Sequence, residues 1–341
     1  MRVLSQFAVP GLFVAAIVVG SIAGATLPAT GVVLGEWVDP TVLLLVGLLL
    51  FEVRFSDVRR VRSAPLFLTV ALSLNFVVIP FIGWGIASVV LGSREPALFV
   101  GLVVYFMAPC TDWFLGFTRM ARGDVALGAV LLPVNMIVQL VLFPVYLRTF
   151  AGEQTGADPV SAFGSVLQWF VLPLAVAVLA RFAARTFLSE RAFVALLRLV
   201  GTMIPAVISL LIVELFATNI VVVLDHASSF ALILVAAVLF FAIVYGVGEI
   251  VARIFRFVYP EKALLVMTTA ARNAPLMLAV TTVALPGQPL VYAAIVVGML
   301  IEFPHLTILR SVLLRGLSRA RPFTADRAIH KDSSPLPVEP L

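Results

Sequence analysis

Apolar runs recur from one end of the chain to the other, separated by short polar stretches. They cover Phe7 to Leu27, Val38 to Phe51, Pro65 to Leu91, Pro96 to about Phe117 and Val125 to Leu147. They resume at Val160 to Ala180, Leu199 to Ala217, Phe230 to Ile250, Ala263 to Leu285 and Leu290 to Leu309. Most hold the ~17–25 residues that a helix needs to cross hydrocarbon, and none alternates with the dyad period of outer-membrane strands. The pattern therefore predicts an all-α polytopic membrane protein with ten transmembrane helices. The first run, with Ala23 and Ala25 near its end, also fits a cleaved secretory signal. It is read as a span because Pro10 has a counterpart in the sixth run.

Ten spans divide into five and five, and an odd-numbered unit enters the second time from the opposite face. Internal echoes support that division. Pro10 pairs with Pro173, LLLFEVRFS (48–56) with LLIVELFAT (210–218), and Phe143-Pro144 with Phe303-Pro304, at separations of 163, 162 and 160 residues. The expected organisation is a first repeat over 1–148, a polar link over 149–159, an inverted second repeat over 160–312, and a disordered tail over 313–341 that is basic and then rich in Pro and Ser.

Composition fixes the solvent as lipid. Of 341 residues 62% are hydrophobic and 12% charged, and the mean hydropathy is +1.14, more apolar surface than a soluble domain can bury. The formal net charge of +5 does not point to nucleic acid, because the basic residues lie beside spans. Arg2, Arg54, Arg59, Arg60, Arg62, Arg119, Arg122, Arg181, Arg185, Arg191, Arg198, Arg253, Arg256 and Lys262 all fall on one side, with the tail, leaving Arg94 and Arg148 on the other. By the positive-inside rule both termini are cytoplasmic. A single cysteine, Cys110, excludes an internal disulfide and a multi-cysteine metal cage. With no P-loop, HExxH pair or serine elbow in the chain, neither an enzyme nor an ATP-driven pump is expected, and no cofactor.

Two stretches break the apolar pattern, YFMAPCTDWF (105–114) and TAARNAPLML (269–278). They sit at repeat-related positions, as expected of broken helices four and nine crossing near the midplane of an inverted-repeat transporter. Pro109 removes a backbone donor and exposes carbonyls that lipid cannot satisfy, and Pro275 is read the same way. A lone cysteine is commonly a small buried hydrophobe. Beside Thr111, Asp112 and an approaching Arg272, Cys110 would instead carry thiolate character and suit a thiophilic substrate. Arg272 and Asp112 form either a structural ion pair or a functional one, in which Arg272 supplies a fixed positive charge where a sodium ion would otherwise bind. Glu302, beside Pro304, is too short to snorkel and is read as a proton carrier or an interfacial residue. Asn135 and Gln139, at i and i+4, and Asn75 are either interhelical glue or site-supporting groups. Glu249 with Arg253 reads as an i, i+4 pair, and Glu52 and Glu214 as span-end carboxylates.

APCTDWFLGFTRMARGD (108–124), FPVYL (143–147), AARNAPLMLAV (270–280) and VVGMLIEFP (296–304) resemble the arsenite efflux permeases of the bile acid, arsenite and riboflavin transporter superfamily. The resemblance implies a panel domain and a core domain built around crossed helices four and nine. It implies export of trivalent arsenite, electroneutral or coupled to protons, with the required cysteine and glutamate falling on Cys110 and Glu302. Asp112 departs from the usual small apolar residue, as does APL (274–276) from the family's phenylalanine and acidic residue. The sodium-coupled branch carries acidic and amide side chains at the second crossing, where this chain has Arg272 and Asn273, which disfavours sodium. The expected substrate-binding set is Cys110, Thr111, Arg272 and Asn273, with Glu302 for the proton, in a protein of the prokaryotic plasma membrane. The alternatives are a sodium- or proton-coupled symporter of a small organic anion, and a non-transporting membrane sensor.

Overall fold

The computed structural model describes residues 8–52, 64–92, 94–111, 113–155 and 159–320. Asp112 lies outside them, as do Arg2, the arginines at 54–62 and residues 321–341. The described residues form fourteen α-helices: α1 Ala8–Thr26, α2 Pro28–Gly35, α3 Val38–Glu52, α4 Pro65–Ser73, α5 Ile79–Val90, α6 Pro96–Met107, α7 Phe114–Met120 and α8 Val125–Thr155. After these come α9 Pro159–Phe187, α10 Glu190–Asp225, α11 Phe230–Ile254, α12 Tyr259–Ala270, α13 Ala274–Ala284 and α14 Pro289–Ala320. A π-helical turn, Leu74–Val78, joins α4 to α5.

Six of these segments are long and apolar enough to cross a membrane alone, and α2 with α3, bent by 47°, makes a seventh. Proline marks many of the starts. It stands in the first turn of α2, α4, α6, α12 and α13, where its missing N–H has no intrahelical acceptor to lose. Pro275 therefore begins α13 and does not kink a continuous span.

Three boundaries differ from the sequence reading. Residues 28–35 are helical and extend the second run backwards. The polar stretch at 149–155, read as a link, continues α8. Residues 313–320, read as part of the disordered tail, continue α14. In the last two cases the polarity rises while helical hydrogen bonding persists, so hydropathy ends before the helix does; residues 28–35 are a short separate helix set at 47° to α3.

Without a hydrophobic force between helices in lipid, close packing depends on small residues. On α1, a Cβ at Gly24 would sit 2.2 Å from the Ala217 carbonyl oxygen of α10, so those backbones touch. On α6, a Cβ at Gly101 would sit 2.4 Å from the Val291 carbonyl oxygen of α14. The helices gather accordingly into two neighbourhoods. One is α1, α2, α3, α9 and α10; in the other, α5, α8 and α14 surround α6, with α11 and α12 alongside. The deepest elements are α6, buried from Leu98 onward, and the stretch from Ala263 to Thr282 spanning α12 and α13.

Candidate functional site

The interruptions at 108–113 and 271–273 meet. Pro109 and Arg272 pair as an isolated antiparallel bridge, in which the Cys110 N–H donates to the Ala271 carbonyl (3.0 Å) and the Asn273 N–H to the Ala108 carbonyl (3.0 Å). In an unbroken helix these donors would serve Phe106 and Thr269, four residues back. Crossing the breaks satisfies the displaced N–H groups and leaves carbonyls at the C-terminal ends of α6 and α12 that hydrocarbon cannot partner.

Arg272 takes those carbonyls. It is fully buried. One terminal nitrogen donates to the Phe106 carbonyl (2.8 Å), and the other to the carbonyls of Thr268 (3.3 Å) and Thr269. The guanidinium lies 5.6 Å from the Phe240 ring centroid, and Phe240 stacks on Phe106. A positive charge thus sits against the negative ends of two helix dipoles. Only the planar fork of an arginine reaches carbonyls on two helices at once.

Glu302, also fully buried, ties α14 to this crossing. Its Oε1 accepts from the Arg272 backbone N–H (3.0 Å), which a continuous helix would have aimed at Thr268, and its Oε2 accepts from the Tyr105 hydroxyl (3.2 Å). The Tyr105 ring fits because α14 has glycine one turn earlier. A Cβ at Gly298 would stand 2.7 Å from that ring.

Thr111 and Asn273 join the two breaks a second time, through Asn273 Nδ2 to Thr111 Oγ1 (2.9 Å), while Asn273 Oδ1 accepts from the Leu276 N–H (3.4 Å) and caps α13. Cys110 is fully buried, and its backbone N–H is one of the two donors of the bridge. The crossing thus brings together Cys110, Thr111, Arg272, Asn273 and Glu302 with Pro109 in the bridge and Pro275 at the start of α13. The expected Asp112–Arg272 pair lies outside the described residues. What Arg272 holds within them is main-chain oxygen.

Of the amides, Asn75 acts as glue, its Nδ2 donating to Thr268 Oγ1 (3.2 Å) from the π-helical turn. Asn135 and Gln139 are buried, and none of their four amide nitrogens and oxygens has a hydrogen-bond partner among the described residues. Glu249 meets Arg253 at 3.5 Å but Lys262 at 2.7 Å, so its stronger partner is on α12 rather than its own helix. Glu214 is not at a helix end. It lies inside α10, buried, and accepts from the Thr41 hydroxyl at 2.9 Å.

Tyr105 and Gly298 are neighbours of Glu302 that the sequence reading missed. Tyr105 lies within the first interrupted stretch but reads as one more aromatic in an apolar run. Its role depends on a residue 197 positions away.

A protein-family model described as the Sodium Bile acid symporter family matches residues 40–253. The chain belongs to that family. The match includes Cys110 and ends before Arg272 and Glu302, so half of the crossing lies outside it. Among relatives, an uncharacterized sodium-dependent transporter, YocS, of Bacillus subtilis is 22% identical over 272 residues, which are 78% of this chain and 80% of the relative. The arsenical-resistance protein Acr3 of Corynebacterium glutamicum is 26% identical over 270 residues, 75% of this chain and 72% of the relative. The motif resemblance to arsenite permeases is thus met by a relative of that kind. This member of the sodium bile acid symporter family is a multi-pass membrane transporter.

Proposed function

We propose that the protein exports arsenite in exchange for protons, by alternating access between two inverted five-helix repeats. The observation that carries this reading is the crossing, where a thiol-bearing break, an arginine-bearing break and a buried carboxyl group meet. Arsenite, As(OH)₃, would exchange one ligand onto Cys110. An S–As bond forms, an As–O bond breaks, and the hydroxyl leaves as water with the thiol proton. Release runs the same step backwards, and a single thiol keeps the bound state weak enough to release. Protonation of Glu302 would disturb its bonds to the Arg272 backbone and to Tyr105, linking a proton to the junction of α6, α12 and α14.

The carbonyls at broken-helix ends are the kind of ligand that binds a coupling sodium ion in transporters built this way. Here the Arg272 guanidinium occupies three of them, which supports transport that is independent of sodium. The repeat reading is supported by the two neighbourhoods, since each draws on both halves of the chain. In this reading the bent pair, the two broken pairs, α4 with α5, and α1, α8, α9, α10, α11 and α14 are taken as ten spans, with repeats at 1–148 and 160–312. The arginine distribution supports cytoplasmic termini, and the bacterial relatives support a prokaryotic plasma membrane.

The test is arsenite accumulation in everted membrane vesicles. Wild type should accumulate arsenite with a pH gradient and without sodium, and Cys110→Ser should fall to background. Transport by Cys110→Ser at the wild-type level would end the thiol-ligand reading. Glu302→Gln should abolish the response to the pH gradient; a retained response would remove Glu302 from coupling.

A second reading, a sodium-coupled symporter of a small organic anion, draws on the name of the Bacillus relative. In it Arg272 binds a carboxylate and Cys110 only packs. Sodium-dependent carboxylate uptake that is indifferent to Cys110→Ala would establish it over the first.

A further inference from the structure

Away from the crossing, two cavities adjoin on the neighbourhood formed by α3, α9 and α10. The first is an apolar groove of about 580 Å³ whose lining includes Leu44, Gly47, Phe51, Pro173, Ala177 and Val200. The second, of about 450 Å³, is lined by Arg181, Arg185, Glu190, Phe193, Leu197 and Arg198, with Val194. Their lining residues are neighbours along the chain. Ala180 lines the groove and Arg181 the pocket; on α10, Leu196 and Val200 line the groove while Leu197 and Arg198 line the pocket.

Arg181 is the hinge between them. It donates to the carbonyl of Phe51, whose ring lines the groove, and its guanidinium lies 6.0 Å from that ring and 5.9 Å from the ring of Phe193. Arg185 lies 5.5 Å from the same Phe193 ring. Two aromatic faces thus hold two guanidinium groups at the mouth of an apolar channel, with Arg198 exposed beside them. With three arginines against one glutamate, the pocket attracts anions, and the groove below it offers hydrocarbon contact.

We propose that this composite site binds an anionic phospholipid, its phosphate on Arg185 and Arg198 and an acyl chain along the groove past Gly47. A free phosphate would use the pocket alone and gain nothing from the groove. A second copy of the chain would fill the groove without needing the arginines. Only a lipid uses both, and basic pockets between membrane helices are a recurrent form of headgroup recognition.

The experiment separates the two halves of the site. A Cβ at Gly47 would meet no atom within 4 Å, so Gly47→Leu fills the groove without displacing protein, while Arg185→Gln with Arg198→Gln discharges the pocket and leaves Arg181 on Phe51. The full chain is purified in detergent, equilibrated with an equimolar mixture of phosphatidylglycerol and phosphatidylcholine, and examined by native mass spectrometry. Wild type should retain phosphatidylglycerol in preference, the double arginine variant should lose that preference by roughly tenfold or more, and Gly47→Leu should retain less of either lipid. The charge-preserving pair Arg185→Lys with Arg198→Lys should keep most of the preference, which separates lost charge from misfolding. Millimolar inorganic phosphate should not displace the retained lipid. Unchanged retention in the double variant overturns the proposal. So does displacement by phosphate with no effect of Gly47→Leu, which would mark a phosphate site, and so does a dimer that Gly47→Leu dissociates with no lipid retained, which would mark a self-association face.

Discussion

Arg272 decides how the crossing is held. Charge inside a membrane usually calls for a countercharge, and the sequence invited Asp112 for that part. Among the described residues, which leave out Asp112, the guanidinium holds main-chain carbonyls on two helix ends. That the break needed a cation was legible, because proline and polar groups stood where lipid allows neither. Which oxygens would receive it was not, since Phe106 and Glu302 reach this point only through the packing of α6 and α14 against α12. The arrangement predicts graded damage. Arg272→Ala leaves three buried carbonyls without their donors, at about 1–3 kcal/mol each, and should lower the thermal-unfolding midpoint in detergent substantially. Arg272→Lys should fall between it and wild type, because an ammonium cannot fork to both helices. Equal midpoints for all three proteins would show that the carbonyls are satisfied some other way. Cys110 contributes to the bridge through its backbone N–H, so Cys110→Ser should unfold like wild type whatever it does to transport.

Between elements, glycine sets what can reach what. The Tyr105 hydroxyl meets Glu302 only because Gly298 leaves room for the ring. Gly298→Ala should therefore push the ring aside, cost about 1–3 kcal/mol in overpacking, and alter the pH dependence of transport in the direction of Tyr105→Phe. The double variant Gly298→Ala with Tyr105→Phe should be less impaired than the two single effects added, because both act on one contact. Full additivity would mean that Gly298 acts elsewhere. Hydropathy places every long helix but says nothing of such slots, since a glycine in a membrane run looks the same whether it faces lipid or a ring. Residues 149–155 read as a link and 313–320 as tail because their polarity rises while the helical hydrogen bonds continue.

At the scale of the whole molecule, the crossing is sealed. Cys110, Arg272, Asn273 and Glu302 are all fully buried, so a substrate that bonds to the thiol reaches it only when the protein opens; in the proposed alternating access that opening is a movement of the two helix neighbourhoods. Because Cys110 is the chain's only cysteine, its reaction with a maleimide reports that movement without ambiguity. If the open form is a minor state of ~0.1–10%, labelling of the native protein in membranes should run roughly 10–1000-fold slower than in denaturant. Arsenite should slow it further by occupying the thiol, while a carboxylate substrate would leave the thiol chemically untouched and change the rate only through the balance of conformations. Labelling as fast in membranes as in denaturant would mean that the crossing is open at rest and that the sealed arrangement is not a resting state of the transport cycle. Slow labelling that arsenite does not affect would keep the alternating movement and remove arsenite as the ligand of Cys110.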